Sequence, residues 1–226
     1  QSGKEMLKIT RLSAKFDIIP LFNGKITISS VQLFGFNINL NKPAPHMEPN
    51  FKFVLDAFAS KDTVKTKKDI DLRINSILIR RGKLSYDVLS EEETPGKFNP
   101  QHIKLHNIIA NISLKALQND SINAAIKRLS VDEQSGFELR KLSLKVIANN
   151  KGMKIENFAI EMPGTEMKMD TIRMEYDSLK ALNHFADNVR FSFRTLPSHV
   201  TLNDISAFVP ALSNFKEKLD LNIDVE

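Results

Sequence analysis

The sequence predicts an all-β dominated fold, a long and mostly antiparallel sheet carrying one or two short α-helices. Three observations predict it. Apolar and polar residues alternate through most of the chain, polar breaks and turn residues punctuate the alternation, and only three segments have helical spacing.

Lys25-Ile26-Thr27-Ile28 alternates, Ser29-Ser30 breaks the phase, and Val31-Gln32-Leu33 resumes it. After Phe34-Gly35, residues Phe36, Ile38 and Leu40 take one face while Asn37, Asn39 and Asn41 take the other. Successive side chains of a strand point to opposite faces, so this run is a strand with one apolar side. A polar pair that shifts the phase by one residue is the mark of a bulge or sharp bend. The arrangement recurs: Ile70, Leu72 and Ile74 alternate, Asn75-Ser76 breaks phase, Ile77 and Ile79 resume, and Leu84, Tyr86 and Val88 follow Arg80-Arg81-Gly82. Ile28-Ser29-Ser30-Val31 aligns closely with Ile74-Asn75-Ser76-Ile77. Looser copies begin at Leu105, Ile126, Leu139, Ile155 and Met169. That short template arises about fifteen times by chance in such a chain, so the weight rests on the long succession of alternating segments. Asn23-Gly24, Asn119-Asp120, Ser135-Gly136, Asn149 to Gly152 and Pro163-Gly164 are the turns between them.

Of the helical candidates, Asn50 to Ser60 sets Phe51, Val54, Leu55 and Phe58 on one stripe, with Asn50 as N-cap. Asn203 to Leu212 sets Ile205, Phe208 and Val209 on one side, and Pro210 limits its second turn. Ser121 to Val131 fits either a helix or a bulged strand and is read as strand. No composition break marks a domain boundary. Residues 1–226 are read as one β-rich region with a possible joint in the loop from Leu89 to Gln101. The first residue is Gln, and the chain is read as a piece of a longer protein. The final run, Leu219 to Glu226, alternates like a strand cut mid-sheet.

Of the 226 residues, 42% are hydrophobic and 26% charged, the balance of a folded chain. Lys and Arg number 32 against 27 acids, an excess too scattered to indicate nucleic acid. The basic run at Lys61, Lys65, Lys67 and Lys68 is interspersed with Asp62 and Asp69 and is read as a solvated loop. With no cysteine, thiolate catalysis, disulfides and Cys-based zinc or iron–sulfur sites are excluded. No apolar run approaches the roughly 18 residues that span a bilayer.

His102 and His106, four apart, could share a strand face, but no third ligand follows at metal-site spacing. All five histidines are read as ordinary polar-face residues. There is no Gly-rich phosphate loop and no nucleophile elbow. Asp132-Glu133 sits in a turn with nothing apolar to raise a carboxyl pKa. The chain is therefore read as non-enzymatic, with no cofactor and no metal. What remains is a sheet with one apolar face that something must cover. A second sheet or the 50–60 helix would make an ordinary core, whereas an apolar ligand would make a binding surface.

The runs KFDIIPLFNGKITISSVQLFGFNINL (Lys15 to Leu40) and NFKFVLDAFAS (Asn50 to Ser60) resemble the N-terminal region of TamB-like proteins of the AsmA superfamily, in the Bacteroidetes-type branch. DLRINSILIRRGKLSYDV (Asp71 to Val88), Phe98-Asn99-Pro100, LSVDEQSGFELRKLSLKV (Leu129 to Val146) and TLNDISAFVPAL (Thr201 to Leu212) resemble later segments of that region. The resemblance implies a curved sheet forming a groove with an apolar interior, within a periplasmic protein anchored to the inner membrane. It implies carriage of phospholipid acyl chains toward the outer membrane, or support of outer-membrane protein assembly beside an Omp85-type barrel through regions outside this chain. The inner-membrane anchor would also lie outside it. The expected groove residues are Ile26, Ile28, Val31, Leu33, Phe36, Ile38, Leu72, Ile74, Ile77, Ile79, Leu84 and Tyr86. The rival expectation is a protein-interaction scaffold without bound lipid.

Overall fold

The computed structural model describes residues 5–17, 27–59, 73–118, 121–178, 187 and 189–225. Among the described residues thirteen strands form one sheet. They are β1 (Leu7–Asp17), β2 (Thr27–Lys42), β3 (Arg73–Ile74), β4 (Ser76–Val88), β5 (His102–Gln118), β6 (Ser121–Glu133) and β7 (Glu138–Asn149). They continue with β8 (Gly152–Glu161), β9 (Glu166–Glu175), β10 (Arg190–Thr195), β11 (Ser198–Thr201), β12 (Lys218–Leu221) and β13 (Asp224–Val225). The order β1-β2-β4-β5-β6-β7-β8-β9-β10-β13 follows the chain, with β3 beside β2 and the β11–β12 pair joined to β9. Ser121 to Glu133 is a strand with register shifts, as read from its pattern.

Every pairing is antiparallel except that of β2 with β3 and β4, which is parallel. A parallel return needs a long crossover, and the chain between Lys42 and Arg73 is long enough for one. The likeness between Ile28–Val31 and Ile74–Ile77 is this parallel register itself: Ile28 pairs with Ile74, Val31 with Ile77 and Ile38 with Leu84. Two homologous breaks lying side by side let both strands bend at one level. Ser29 is the extra residue where β1 shifts register between Lys15 and Phe16, and Asn75 separates β3 from β4.

The second phase break has a backbone cause. Gly35, Arg81, Asn107 and Asn157 all have left-handed φ, between 53° and 64°. Gly35 and Arg81 lie level in the parallel register. At Arg81 and Asn107 two consecutive side chains fall on one side of the sheet. The Arg81 guanidinium covers the Phe34 ring that Arg80 already faces, and His106 and Asn107 both reach Asp132. A polar pair is thus spent on the wet side, and the apolar alternation restarts on the same face as before.

Of the two helix expectations, the first is met except at its cap and the second is not. Lys52–Ala59 is an α-helix, here α1, but Asn50 is not its cap. The Asn50 side chain instead accepts from the Asn41 N–H and donates to the Asn39 carbonyl, both at 2.9 Å, so it fastens the end of β2. Phe53 and Leu55 of α1 are exposed, so Leu55 does not lie on a buried stripe. Residues 203–212 form no α-helix but two 3-10 turns, Leu202–Ile205 and Pro210–Leu212. Pro210 lacks the N–H that would continue the first turn, and the Asp204 carboxylate is held by the Gly164 N–H at 3.0 and 3.1 Å. This segment packs Phe208 against Phe98 and Phe137, with ring centroids 4.8 and 4.9 Å apart. It thereby ties the β4–β5, β6–β7 and β8–β9 connections together at one rim of the sheet. The loop from Leu89 to Gln101 joins two strands of the same sheet, since β4 and β5 pair along their length.

Candidate functional site: an uncovered apolar sheet face

Side chains directly opposite one another on paired strands share a face, so register converts the alternation into rows. One row runs Leu12, Leu33, Ile79, Ala110, Leu129, Leu142, Ile160, Met167, unbroken across eight strands. At about 4.8 Å per strand it is about 34 Å long. A second runs Ala14, Val31, Ile77, Ile112, Ile126, Leu144. A third, Leu114, Ala124, Val146, Ile155, Ile172, Phe193, Val225, crosses the other half of the sheet. No charged residue interrupts any of the three.

Among the described residues no second sheet faces these rows, and no large side chain is fully buried. The buried apolar residues are Phe36, Val88, Ala110, Leu139, Ala148, Tyr176 and Val189, which are mostly single positions rather than a packed layer. Leu12 is 59% exposed at one end of its row, whereas Ala110 near the middle is 2% exposed. The backbone nonetheless needs no second layer, because every strand except those at the sheet margins is paired on both sides.

Of the expected groove residues, Val31 pairs with Ile77, Leu33 with Ile79 and Ile38 with Leu84, which places them in adjoining rows. Phe36 is level with Gly82 and packs over it, and Tyr86 is opposite Leu40 and Ile103. Ile28 pairs with Phe16 and Ile74, of which only the backbone of Ile74 is described. Ile26 and Leu72 lie outside the described residues. Sequence reasoning did not assign Leu12, Ala110, Leu129, Leu142, Ile160 and Met167 to the face. Their alternation was visible, but the lateral register that joins them was not.

The polar face divides into two halves. From β7 onward it is laced by ion pairs: Lys141–Glu161 and Lys145–Glu156 at 2.7 Å, Lys154–Glu156 at 2.6 Å, and Arg194–Asp224 at 2.7 Å. Hydrogen bonds from Lys145 and then Lys154 hold the Glu156 carboxyl well below its ordinary value, at about 2. Lys168 lowers Glu166 by the same means.

One histidine departs from expectation. His102 is not an ordinary polar-face residue but is buried, at 4% exposure. Its Nδ1 lies 3.1 Å from Asp87 Oδ1, and its Nε2 lies 3.0 Å from the Glu91 carbonyl oxygen. The acidic loop folds back over it, bringing ligand atoms of Asp87, Glu93 and His102 within 4.8 Å of one another. Each donor atom has a protein partner, since Glu93 takes both hydrogen bonds from Lys104 Nζ, at 2.9 and 3.0 Å. The cluster locks the β4–β5 connection. His106 is exposed and lies 3.7 Å from Asp132.

The described residues define a mostly β protein built on one long mixed sheet that is not closed, with an apolar face. No family model matches the chain, and neither a curated protein nor a solved structure is similar to it. No helix among the described residues is long and apolar enough to cross a membrane.

Proposed function

We propose that the apolar face is a groove for phospholipid acyl chains, and that the protein is a non-enzymatic module of envelope biogenesis. The observation that carries the proposal is the eight-strand row from Leu12 to Met167, apolar throughout and faced by no second sheet among the described residues. Acyl chains are held by non-directional hydrophobic and dispersion forces, which require continuous apolar surface and no fixed polar partner. Each buried CH₂ contributes about 0.8 kcal/mol, so a short length of groove retains a chain while one register of contact exchanges readily for the next.

The likeness of the quoted segments to TamB-like proteins supports the same reading. On this proposal the module belongs to the periplasm, as part of an inner-membrane-anchored protein that passes phospholipid toward the outer membrane or supports assembly beside an Omp85-type barrel.

The test is native mass spectrometry of protein purified without detergent, with lipid extraction from the same sample. Phospholipid is expected on the wild type and absent from Ile77→Glu, which sets a carboxylate in the row between Val31 and Ile112. The strand content of the variant, read by circular dichroism, should be unchanged. A well-folded wild type that carries no lipid and takes none from vesicles would overturn the proposal in favour of a scaffold.

A further inference from the structure

The opposite, wet face carries a second feature that lipid carriage does not use. In its N-terminal half the ion pairs lie at strand ends and loops, as in Lys104–Glu93, and the middle of the strands carries none among the described residues. On β1, β2, β4, β5 and β6 the only acids are Asp17, Asp87, Asp132 and Glu133, all at strand ends. Between them stand Arg11, Arg80, Arg81 and Arg128, all exposed, and none forms an ion pair among the described residues.

Register gathers these four arginines. Arg11 and Arg80 flank Phe34 on either side, and the row Gln32, Leu78, Asn111, Arg128 runs beside them. The guanidinium carbons of Arg11 and Arg81 lie 5.3 and 5.2 Å from the centre of the Phe34 ring, which is cation–π distance. Arg81 reaches it from a left-handed backbone that an L side chain adopts only at a cost. The surface here is hollow. A depression of about 230 Å³ at Arg11, Gln32, Phe34, Leu78 and Arg80 adjoins one of about 450 Å³, and Phe34, Leu78 and Arg80 line both. The second also takes in Ile109 and Arg128. From β1 to β6 the trough spans about 19 Å.

We infer that this trough docks an extended acidic segment of a partner protein. Unpaired guanidinium groups repel one another and match carboxylates in bidentate geometry, so an anionic partner relieves the repulsion as it binds. Phe34, Leu78 and Ile109 form an apolar floor between the cations, and Gln32 and Asn111 offer amide groups. Acidic side chains interspersed with an apolar one, on a backbone seeking hydrogen bonds, fit that sequence of surfaces. A flat anionic membrane would need the cations on a crest, whereas here they rim a hollow.

The experiment is fluorescence anisotropy with a fluorescein-labelled peptide in which Glu pairs alternate with single Leu residues, titrated with the whole chain at low and at physiological salt. The wild type is expected to bind, more weakly as salt rises. Arg80→Gln combined with Arg81→Gln should weaken binding on the order of tenfold or more, and Phe34→Ala should also weaken it. The charge-matched control, Arg140→Gln with Arg194→Gln, should leave it unchanged, as should Ile77→Glu on the opposite face. Equal loss in the control would reduce the effect to net charge and overturn the inference. So would absence of binding, or preferential capture by vesicles of equal parts phosphatidylcholine and phosphatidylglycerol.

Discussion

Replacing Gly82 with alanine tests the level at which the strands bend. Gly82 is buried and its φ is not left-handed, so alanine fits the backbone. Lowering the entropy of the unfolded chain would then stabilise the variant by about 0.4–1 kcal/mol if there were room. There is none. The added Cβ would stand 2.6 Å from Phe36 Cε1, closer still to Cζ, and 3.0 Å from Ile108 Cβ. Carbon atoms in contact prefer about 3.5–4.0 Å, so the ring must withdraw by about an ångström from a site where it is 7% exposed. Overpacking of this kind costs about 1–3 kcal/mol. The entropic gain offsets part of that, leaving a net destabilisation of about 1–2 kcal/mol. In a chain of this size each kcal/mol lowers Tm by about 2–4 °C. Urea denaturation followed by circular dichroism measures it. Phe36→Leu destabilises the wild-type background by removing buried area, but in Gly82→Ala it also relieves the clash. The two changes should therefore show a favourable coupling of about 0.5–3 kcal/mol. A Gly82→Ala protein as stable as the wild type, or additive behaviour of the pair, would refute the reasoning.

His102→Ala leaves Asp87 and the Glu91 carbonyl without their ring partner and should cost about 1–3 kcal/mol, with faster amide exchange confined to the β4–β5 connection. Wild-type exchange rates there would argue against the lock. Glu156→Gln concerns pH. The folded carboxyl titrates at about 2, below its ordinary 4.5. The contribution of the Lys145–Glu156–Lys154 cluster is thus complete above the ordinary value and fades as pH falls toward 2. The wild type should be the more stable at neutral pH and low salt, with the difference shrinking below about pH 4.5. A difference that stays constant under acid would show that the cations do not hold the carboxyl down.

The class of fold was legible because the alternation in strands such as Thr27–Lys42 and Glu138–Asn149 is a property of the chain alone. Positions of phase breaking were legible too, since Ser29-Ser30, Asn75-Ser76 and Arg81-Gly82 interrupt that alternation visibly. The likeness of Ile28–Val31 to Ile74–Ile77 was visible as well, but that the two segments pair in parallel was shown only by the structure. The reason for the likeness is physical: neighbouring strands that must bend together carry similar breaks at the same level. What each break does was not legible. Asn50 looks like a helix cap and serves as a strand fastener, because its side-chain oxygen accepts from the Asn41 amide instead. Residues 203–212 have helical spacing, yet Asp204 and Phe208 are committed to the rim, and those contacts outweigh a weak local preference.

His102 reads as a surface residue until the acidic loop folds over it, and no local pattern encodes a loop's return path. The groove face and the arginine trough were likewise decided by tertiary structure. Each strand supplies one or two residues to a row. Only lateral pairing turns Leu12, Ala110 and Met167 into one surface, and Arg11, Arg81 and Arg128 into another. The sequence by itself determined which side of each strand is apolar. The order and register of the strands determined that these sides join into continuous surfaces, because only lateral pairing brings residues of different strands to one level.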